Sequence, residues 1–367
     1  MSKILDKHPY IIVAMIVLFF GITLNYIAHF FLEKRPGHVL MQQPVLENIY
    51  GKDMAEDYKI VLSEQGLGQK YYPFVEFIEK PREGKFVNVS EQGTRCHYPD
   101  RDICQAGGGQ EIWIFGGSTT FGYGVKDNET IAAFLSKVFP EYRIINFGAG
   151  YYYSTNERIR FENLLAEFPP PKAAIFIDGL NDFYFFNVPD QSKFSGVLSL
   201  ILNEEGLANS FIKLLRANLE KLAIYRLFEE KFGHAVLGKG HTPADHEQIL
   251  RAIHRLNLNH SIVESIGDKF GITILNVIQP IPLYGVGHKT SHVPRKALNF
   301  GDHINSGAAY RLMFESDRKS FQPNSKTLNL ADLSIEEGMY VDTVHYSPKF
   351  NQEIAYKIHT KLSRLLK

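Results

Sequence analysis

A chain of 367 residues with 44% hydrophobic, 13% aromatic and 22% charged side chains is ordinary globular material, which excludes a disordered, collagen-like or coiled-coil protein. Forty basic residues balance forty acidic ones, so the chain lacks the positive surplus that neutralises phosphates, and no nucleic-acid partner is expected. Two cysteines are too few for a disulfide scaffold or a structural zinc site.

Residues 1–8 form a short polar N-terminus. From Pro9 to Leu32 the one potentially charged side chain is His29, and residues 10–20 are apolar on every helical face. A spanning helix needs about 20 such residues at 1.5 Å each. A core helix would carry a polar stripe, and a signal peptide would end in a small-x-small site. This run ends instead in Asn25-Tyr26-Ile27-Ala28-His29-Phe30-Phe31, an aromatic belt. We therefore expect one uncleaved transmembrane helix over 9–32. Lys3 and Lys7 before it balance Lys34 and Arg35 after it, so the positive-inside rule does not orient the chain. Cys96 and Cys104 lie eight positions apart. A disulfide there would suit an oxidising compartment, and two reduced, unrelated cysteines are the alternative. The expectation leans to a single-pass membrane protein whose larger part is extracytoplasmic, in a periplasm or at a cell surface.

Residues 33–108 mix aromatic side chains with Gly and Pro and read as an extension that packs on the main domain, with one short strand at 85–89. The regular pattern begins at 109 and runs to 367. The apolar run 112–115 stops at Gly116-Gly117, as a buried parallel strand does. A helix with Ile131, Phe134, Leu135 and Val138 on one face follows Asp127-Asn128, which can cap it. Residues 143–146 form the next strand and break at Gly148-Ala149-Gly150. Ser154-x-x-Glu157 has the form of a capping box for a helix that Pro169-Pro170-Pro171 ends. Residues 173–177 are a third buried strand. Amphipathic helices are expected at 204–232 and 244–269; Thr242-Pro243 opens the second, and Gly271 stops it before the strand 272–278. Residues 281–340 are irregular and contain His288, His292 and His303. A last helix starts at Ser347-Pro348. Alternating strands and helices predict an α/β fold: a three-layer α/β/α sandwich, flavodoxin-like, with a mainly parallel sheet.

In such sheets ligands sit beyond the carboxyl ends of the strands. Those ends hold Gly116-Gly117-Ser118-Thr119-Thr120, then Asn146-Phe147-Gly148-Ala149-Gly150, then Asp178-Gly179-Leu180-Asn181-Asp182, while Asp342-Thr343-Val344-His345 precedes the last helix. A serine hydroxyl is a poor nucleophile until a base takes its proton, and His345 is suited to that near neutral pH. Asp342 can hold the imidazole in one tautomer. The tetrahedral intermediate needs fixed donors for its negative oxygen: the Ser118 N–H, an amide of the 148–150 turn, and the Asn181 side chain.

These four blocks resemble those of the SGNH, or GDSL-type, hydrolase superfamily, over roughly 110–190 and 330–365. Block I is Gly116-Gly117-Ser118-Thr119-Thr120-Phe121-Gly122, with Gly117 where many members have Asp. Block III is Gly179-Leu180-Asn181-Asp182, and block V is Asp342-x-x-His345-Tyr346-Ser347-Pro348. The resemblance implies Ser118 as nucleophile, His345 as base, Asp342 as its partner and Asn181 as an oxyanion donor. Block II departs from the pattern: the family often has a glycine five positions after the Asn, where this chain has Tyr151. Gly148, Gly150 or Tyr151 could give that amide, and Gly150 is the expected donor. The α/β-hydrolase elbow Gly-x-Ser-x-Gly does not fit, because Thr120 stands at its second glycine.

Each feature has a plainer reading. Gly-Gly-Ser can be a simple turn, Asn181 and Asp182 can cap, and Asp342 with His345 can be a surface pair. His260, on the apolar stripe of the 244–269 helix, is expected to be a packing histidine, and His288, His292 and His303 lack metal-ligand spacing. The tyrosines 151–153 flank the site; packing is their default, with contact to an acyl or sugar group as the alternative. Together the blocks imply a membrane-anchored serine esterase with an acyl-Ser118 intermediate, using no metal or organic cofactor. Its substrate would be an acylated small molecule, glycan or lipid. Proteins that combine an anchor with such a domain include some that add or remove O-acyl groups on envelope polysaccharides. The alternatives are an O-acyltransferase using the same serine, a partner of a multispanning acyltransferase, and an inactive scaffold.

Overall fold

The computed structural model describes residues 9–34, 43–66, 68–98, 102–184, 222, 244–285, 303–315, 320–335 and 338–367. The helix expected at 204–232, apart from Leu222, and the residues His288 and His292 lie outside the described residues. The chain divides into two compact units, one of Met1–Val39 with Lys193–Thr242 and one of Leu40–Ser192 with Pro243–Lys367.

In the first unit the described element is helix α1, Pro9–Lys34, 26 residues long or about 39 Å at 1.5 Å per residue. Val17, Leu18, Phe19 and Phe20 on it are largely exposed. Among the described residues no helix is long and apolar enough to cross a membrane.

The second unit begins with helices α2 (Gln43–Tyr50) and α3 (Ala55–Gln65) and the antiparallel pair β1 (Gln69–Tyr72) and β2 (Glu76–Glu79). The main sheet contains β3 (Asn88–Val89), β4 (Arg95–Cys96), β5 (Glu111–Gly116), β6 (Arg143–Asn146), β7 (Ala173–Asp178), β8 (Thr273–Ile278) and β9 (Thr327–Asn329), in the order β3-β4-β6-β5-β7-β8-β9. The five strands from β6 to β9 pair in parallel. Numbered among themselves they have the doubly wound order 2-1-3-4-5, whose switch point lies between β5 and β7. The strands β3 and β4 add antiparallel at the β6 edge, so the sheet crosses the boundary expected at 108. Cys96 at the end of β4 is joined to Cys104 in a disulfide with Cα atoms 5.2 Å apart.

The side-chain alternation of β5 explains the three layers. Ile112 and Ile114 point into one apolar cluster with helices α5 (Ile131–Val138) and α9 (Pro348–Leu365), through Leu135, Ile354 and Ile358. Trp113 and Phe115 point into the other, with α6 (Ser154–Glu167) and α7 (His246–Phe270), through Phe161, Leu164 and Val263. All four strand side chains are fully buried. Each is worth about 1.5–3 kcal/mol in transfer from water, which is why a run apolar at every position sits inside a covered parallel sheet. Helix α8 (Ile304–Phe314) closes a third cluster with Phe183, Ile253 and Leu256.

Helix ends follow sequence expectations in part. Ser347 accepts from the Phe350 N–H and opens α9, and Gly271, at φ +69°, ends α7 in the left-handed conformation a glycine takes without strain. The cap of α5 is Thr130, which accepts from the Ala133 N–H. Asp127 is drawn away by the Arg95 guanidinium at 2.6 Å and by Asn88. The expected box at Ser154 does not form, because its hydroxyl donates to Asp182 Oδ1 at 2.5 Å and Tyr153 is the N-cap, without a side-chain cap bond. The box of α7 is instead Asp245 with Gln248.

Candidate active site

The chain leaves β5 through Gly116 and Gly117 and turns at once into the short helix α4, Ser118–Phe121. The Ser118 N–H belongs to its first turn, where an amide has no acceptor within the helix. An ideal Cβ on Gly117 would stand 2.4 Å from Asn181 Nδ2. The Asn181 carboxamide thus lies so close to this turn that a side chain at 117 would have to displace it. Asn181 opens a 3₁₀ turn, Asn181–Phe183, beyond β7, and donates one side-chain N–H to the Tyr152 carbonyl at 2.7 Å. A carboxamide has a second N–H for other use.

His345 comes from a loop pinned on both sides. Its carbonyl accepts from the Val341 N–H at 2.8 Å, and the Ser347 N–H reaches the Met339 carbonyl at 2.9 Å. Tyr346 is buried behind it and donates to the Pro280 carbonyl at 2.7 Å. Within this loop Asp342 Oδ1 accepts the backbone N–H groups of Val344 and His345 at 2.8 and 2.7 Å, and Oδ2 lies 2.5 Å from His345 Nδ1. His345 Nε2 is 2.8 Å from Ser118 Oγ, across 227 positions of sequence. Burial pushes the Asp342 carboxyl up, but the imidazole and the hydrogen bonds from His345 and Val344 outweigh it and hold the pKa down to about 2. An ionised Asp342 fixes the proton of the neutral ring on Nδ1. Nε2 is then the acceptor for the Ser118 hydroxyl. The Tyr123 ring stacks on His345 with centroids 5.5 Å apart.

Of the residues read from the sequence, the structure brings Ser118, His345 and Asp342 into one hydrogen-bonded line and sets Asn181 against the same turn. It does not leave Gly150 for the oxyanion. The Gly150 N–H donates to Glu79 Oε1 at 2.9 Å, and the Gly148 N–H to Asn146 Oδ1 at 2.9 Å. The next residue, Tyr151, has φ +69°, a region where a non-glycine residue is strained by about 1–3 kcal/mol. Its place five positions after Asn146 was the available signal. Tyr123 and Glu79 are contacts of the site that no motif in the sequence marks.

No family model matches the sequence, and no curated protein does. Solved structures do match in chain path. A carbohydrate acetylesterase from Sinorhizobium meliloti is 13% identical, with 70% of this chain and 99% of that one covered and a TM-score of 0.37. A member of the lipolytic G-D-S-L family from Veillonella parvula is 11% identical, with 70% and 99% covered and a TM-score of 0.35. An acetyl xylan esterase is 14% identical, with 68% and 98% covered and a TM-score of 0.33. At such values the chemistry must be read from the side chains.

A second acidic group lies nearby. His260 Nε2 is 2.9 Å from Asp178 Oδ2, both side chains being buried, which fits a packing histidine. Burial of Asp182, reinforced by the Asp178 carboxylate, pushes its pKa up to about 6. Burial beside Asp178 and Asp182 raises Glu157 as well. His303 faces Tyr184 with ring centroids 4.9 Å apart. Among the described residues no group of three His, Cys, Asp or Glu side chains is placed to hold a metal ion.

Proposed function

We propose that the chain is an SGNH-type serine hydrolase that cleaves ester bonds through an acyl-Ser118 intermediate. The observation that carries this reading is the line Ser118 Oγ, His345 Nε2, His345 Nδ1, Asp342 Oδ2, with contacts of 2.8 and 2.5 Å. It lies at the switch point of the sheet, where α/β folds place ligands.

Ser118 Oγ attacks the ester carbonyl as its proton passes to His345 Nε2. The carbonyl π electrons move to oxygen, and the resulting oxyanion is met by the Ser118 N–H, the Tyr151 N–H and the second Asn181 N–H. Collapse breaks the bond to the alcohol, which leaves with the proton from His345. Water, deprotonated by the same ring, then releases the acid and restores the serine. An acceptor hydroxyl in place of water would complete an acyl transfer.

The proposal includes a membrane anchor at 9–32 and an extracytoplasmic active site. Supporting it are the apolar sequence from Tyr10 to Phe20 and a disulfide suited to an oxidising compartment. An acylated glycan or lipid of the cell envelope is the substrate class reached from such a position. The test is labelling of the full-length protein in detergent with a fluorophosphonate. Modification at Ser118, lost in Ser118→Ala, is expected, and a folded wild type that does not label would sink the reading. Sodium carbonate extraction of membranes checks the anchor: retention in the pellet is expected.

A further inference from the structure

The N-terminal extension puts one buried carboxylate between two parts of the site. Glu79, at the end of β2, is 0% exposed and is paired with the buried Arg82 at 2.7 Å through Oε2. Its Oε1 accepts the Gly150 N–H at 2.9 Å, the Tyr123 hydroxyl at 3.4 Å and Gln69 Nε2 at 3.3 Å. Gln69 is the cross-strand neighbour of Glu79 in the β1–β2 pair, and its Nε2 also donates to the Gly150 carbonyl at 2.7 Å.

This arrangement fixes a peptide plane. The C=O of Gly150 and the N–H of Tyr151 belong to one trans peptide and point in opposite directions. With the carbonyl held by Gln69, the Tyr151 N–H is turned away from the β1–β2 pair. The Gly150 N–H, held by Glu79, fixes the preceding peptide. A left-handed tyrosine persists only where its surroundings hold it, and Glu79 with Gln69 supplies that hold. Through the Tyr123 hydroxyl the same carboxylate touches the ring that stacks on His345.

We propose that Glu79 is a positioning residue for acyl transfer. Acting with Gln69, it aims the Tyr151 amide at the developing oxyanion and steadies the Tyr123 ring against the base. This rests on the serine-hydrolase reading above. A displaced donor weakens the transition state far more than the ground state, so kcat falls while KM stays.

The experiment uses the full-length protein in detergent with p-nitrophenyl acetate and a fluorophosphonate. Glu79→Gln and Gln69→Ala are compared with wild type, and Glu79→Asp serves as the conservative rescue. Glu79→Gln should lower kcat by about 10–100-fold, the scale of a misplaced catalytic group, with KM within twofold and labelling of Ser118 slowed in parallel. Glu79→Asp should recover part of that loss. Gln69→Ala, which leaves the buried ion pair intact, should lower kcat by about 3–10-fold. If Glu79→Gln does not fold, as judged by its melting transition, Gln69→Ala decides alone. A kcat within twofold of wild type in the deciding variant, or a loss that appears only in KM, overturns the proposal while wild type still labels. A wild type that neither labels nor turns over instead overturns the serine-hydrolase reading on which it stands.

Discussion

Among the described residues of the second unit two histidine–aspartate pairs occur, each joining a ring nitrogen to a carboxylate oxygen. His345 meets Asp342 at 2.5 Å and His260 meets Asp178 at 2.9 Å. The difference lies in what surrounds each pair. The His345 and Asp342 side chains keep 17% and 18% of their exposure, and the far ring nitrogen meets a serine hydroxyl. The His260 and Asp178 side chains keep 8% and 1%, and the Glu157 and Asp182 carboxyls crowd the aspartate. A histidine held by a carboxylate is thus a general base only where its other nitrogen reaches a nucleophile open to substrate. Without that it is a buried structural contact. The carboxylates diverge accordingly: Asp342 is held down to about 2 and Asp182 is pushed up to about 6.

The comparison breaks first on rates. Ser118→Ala and His345→Ala should each lower kcat on an aryl ester by about 10⁵-fold or more, and Asp342→Asn by about 10⁴-fold, leaving a residue carried by the oxyanion donors. Equal, mild losses in all three, measured by steady-state kinetics, would contradict the assigned roles. His260→Ala should do the reverse. It leaves a buried carboxylate unpaired at a cost of about 2 kcal/mol in denaturant unfolding, while kcat stays within about threefold.

The pH dependence of the melting temperature sharpens the contrast. Asp182 binds its proton more tightly folded than unfolded, so its contribution makes stability fall as pH rises from the ordinary 3.8 towards about 6. Asp182→Asn should remove that component. Asp342 works with the opposite sign: its stabilisation is full above 3.8 and is lost as pH falls through about 2. Asp342→Asn should therefore flatten the acid limb alone. The smallest expected effect is that of a chelator. With nucleophile, base and donors all supplied by the chain, EDTA should leave the aryl-esterase rate unchanged.

Strands β5, β6, β7 and β8 were legible in sequence because each is a short apolar run closed by glycine or a polar turn, as at 112–117, whereas β9, with the sequence Thr-Leu-Asn, and helix α8 lie in the stretch 281–340 that reads as irregular. Ser118, Asn181, Asp342 and His345 were legible because each stands in a compact block at a strand end or a helix start, and the fold brings those ends together. What sequence hid depends on partners far along the chain. Local spacing offered Asp127 and Ser154 as caps, but Arg95 and Asp182 claim them first. Gly150 looked the better oxyanion amide until Glu79, 71 positions away, took its N–H. Glu79 itself sits in a stretch with no periodicity to mark it, and its place follows only from the β1–β2 pairing.

The two short antiparallel strands beside β6 bear on any attempt to trim the protein. A fragment starting at 109 would keep all four sequence blocks, yet it would strip β3 and β4 from the sheet and leave the backbone of β6 unpaired along one side. Exposed strand margins recruit other chains, so such a minimal enzyme should precipitate or self-associate, and its surviving soluble fraction would lack the carboxylate at 79. The smallest well-behaved catalytic piece of this polypeptide therefore begins upstream of Gln69.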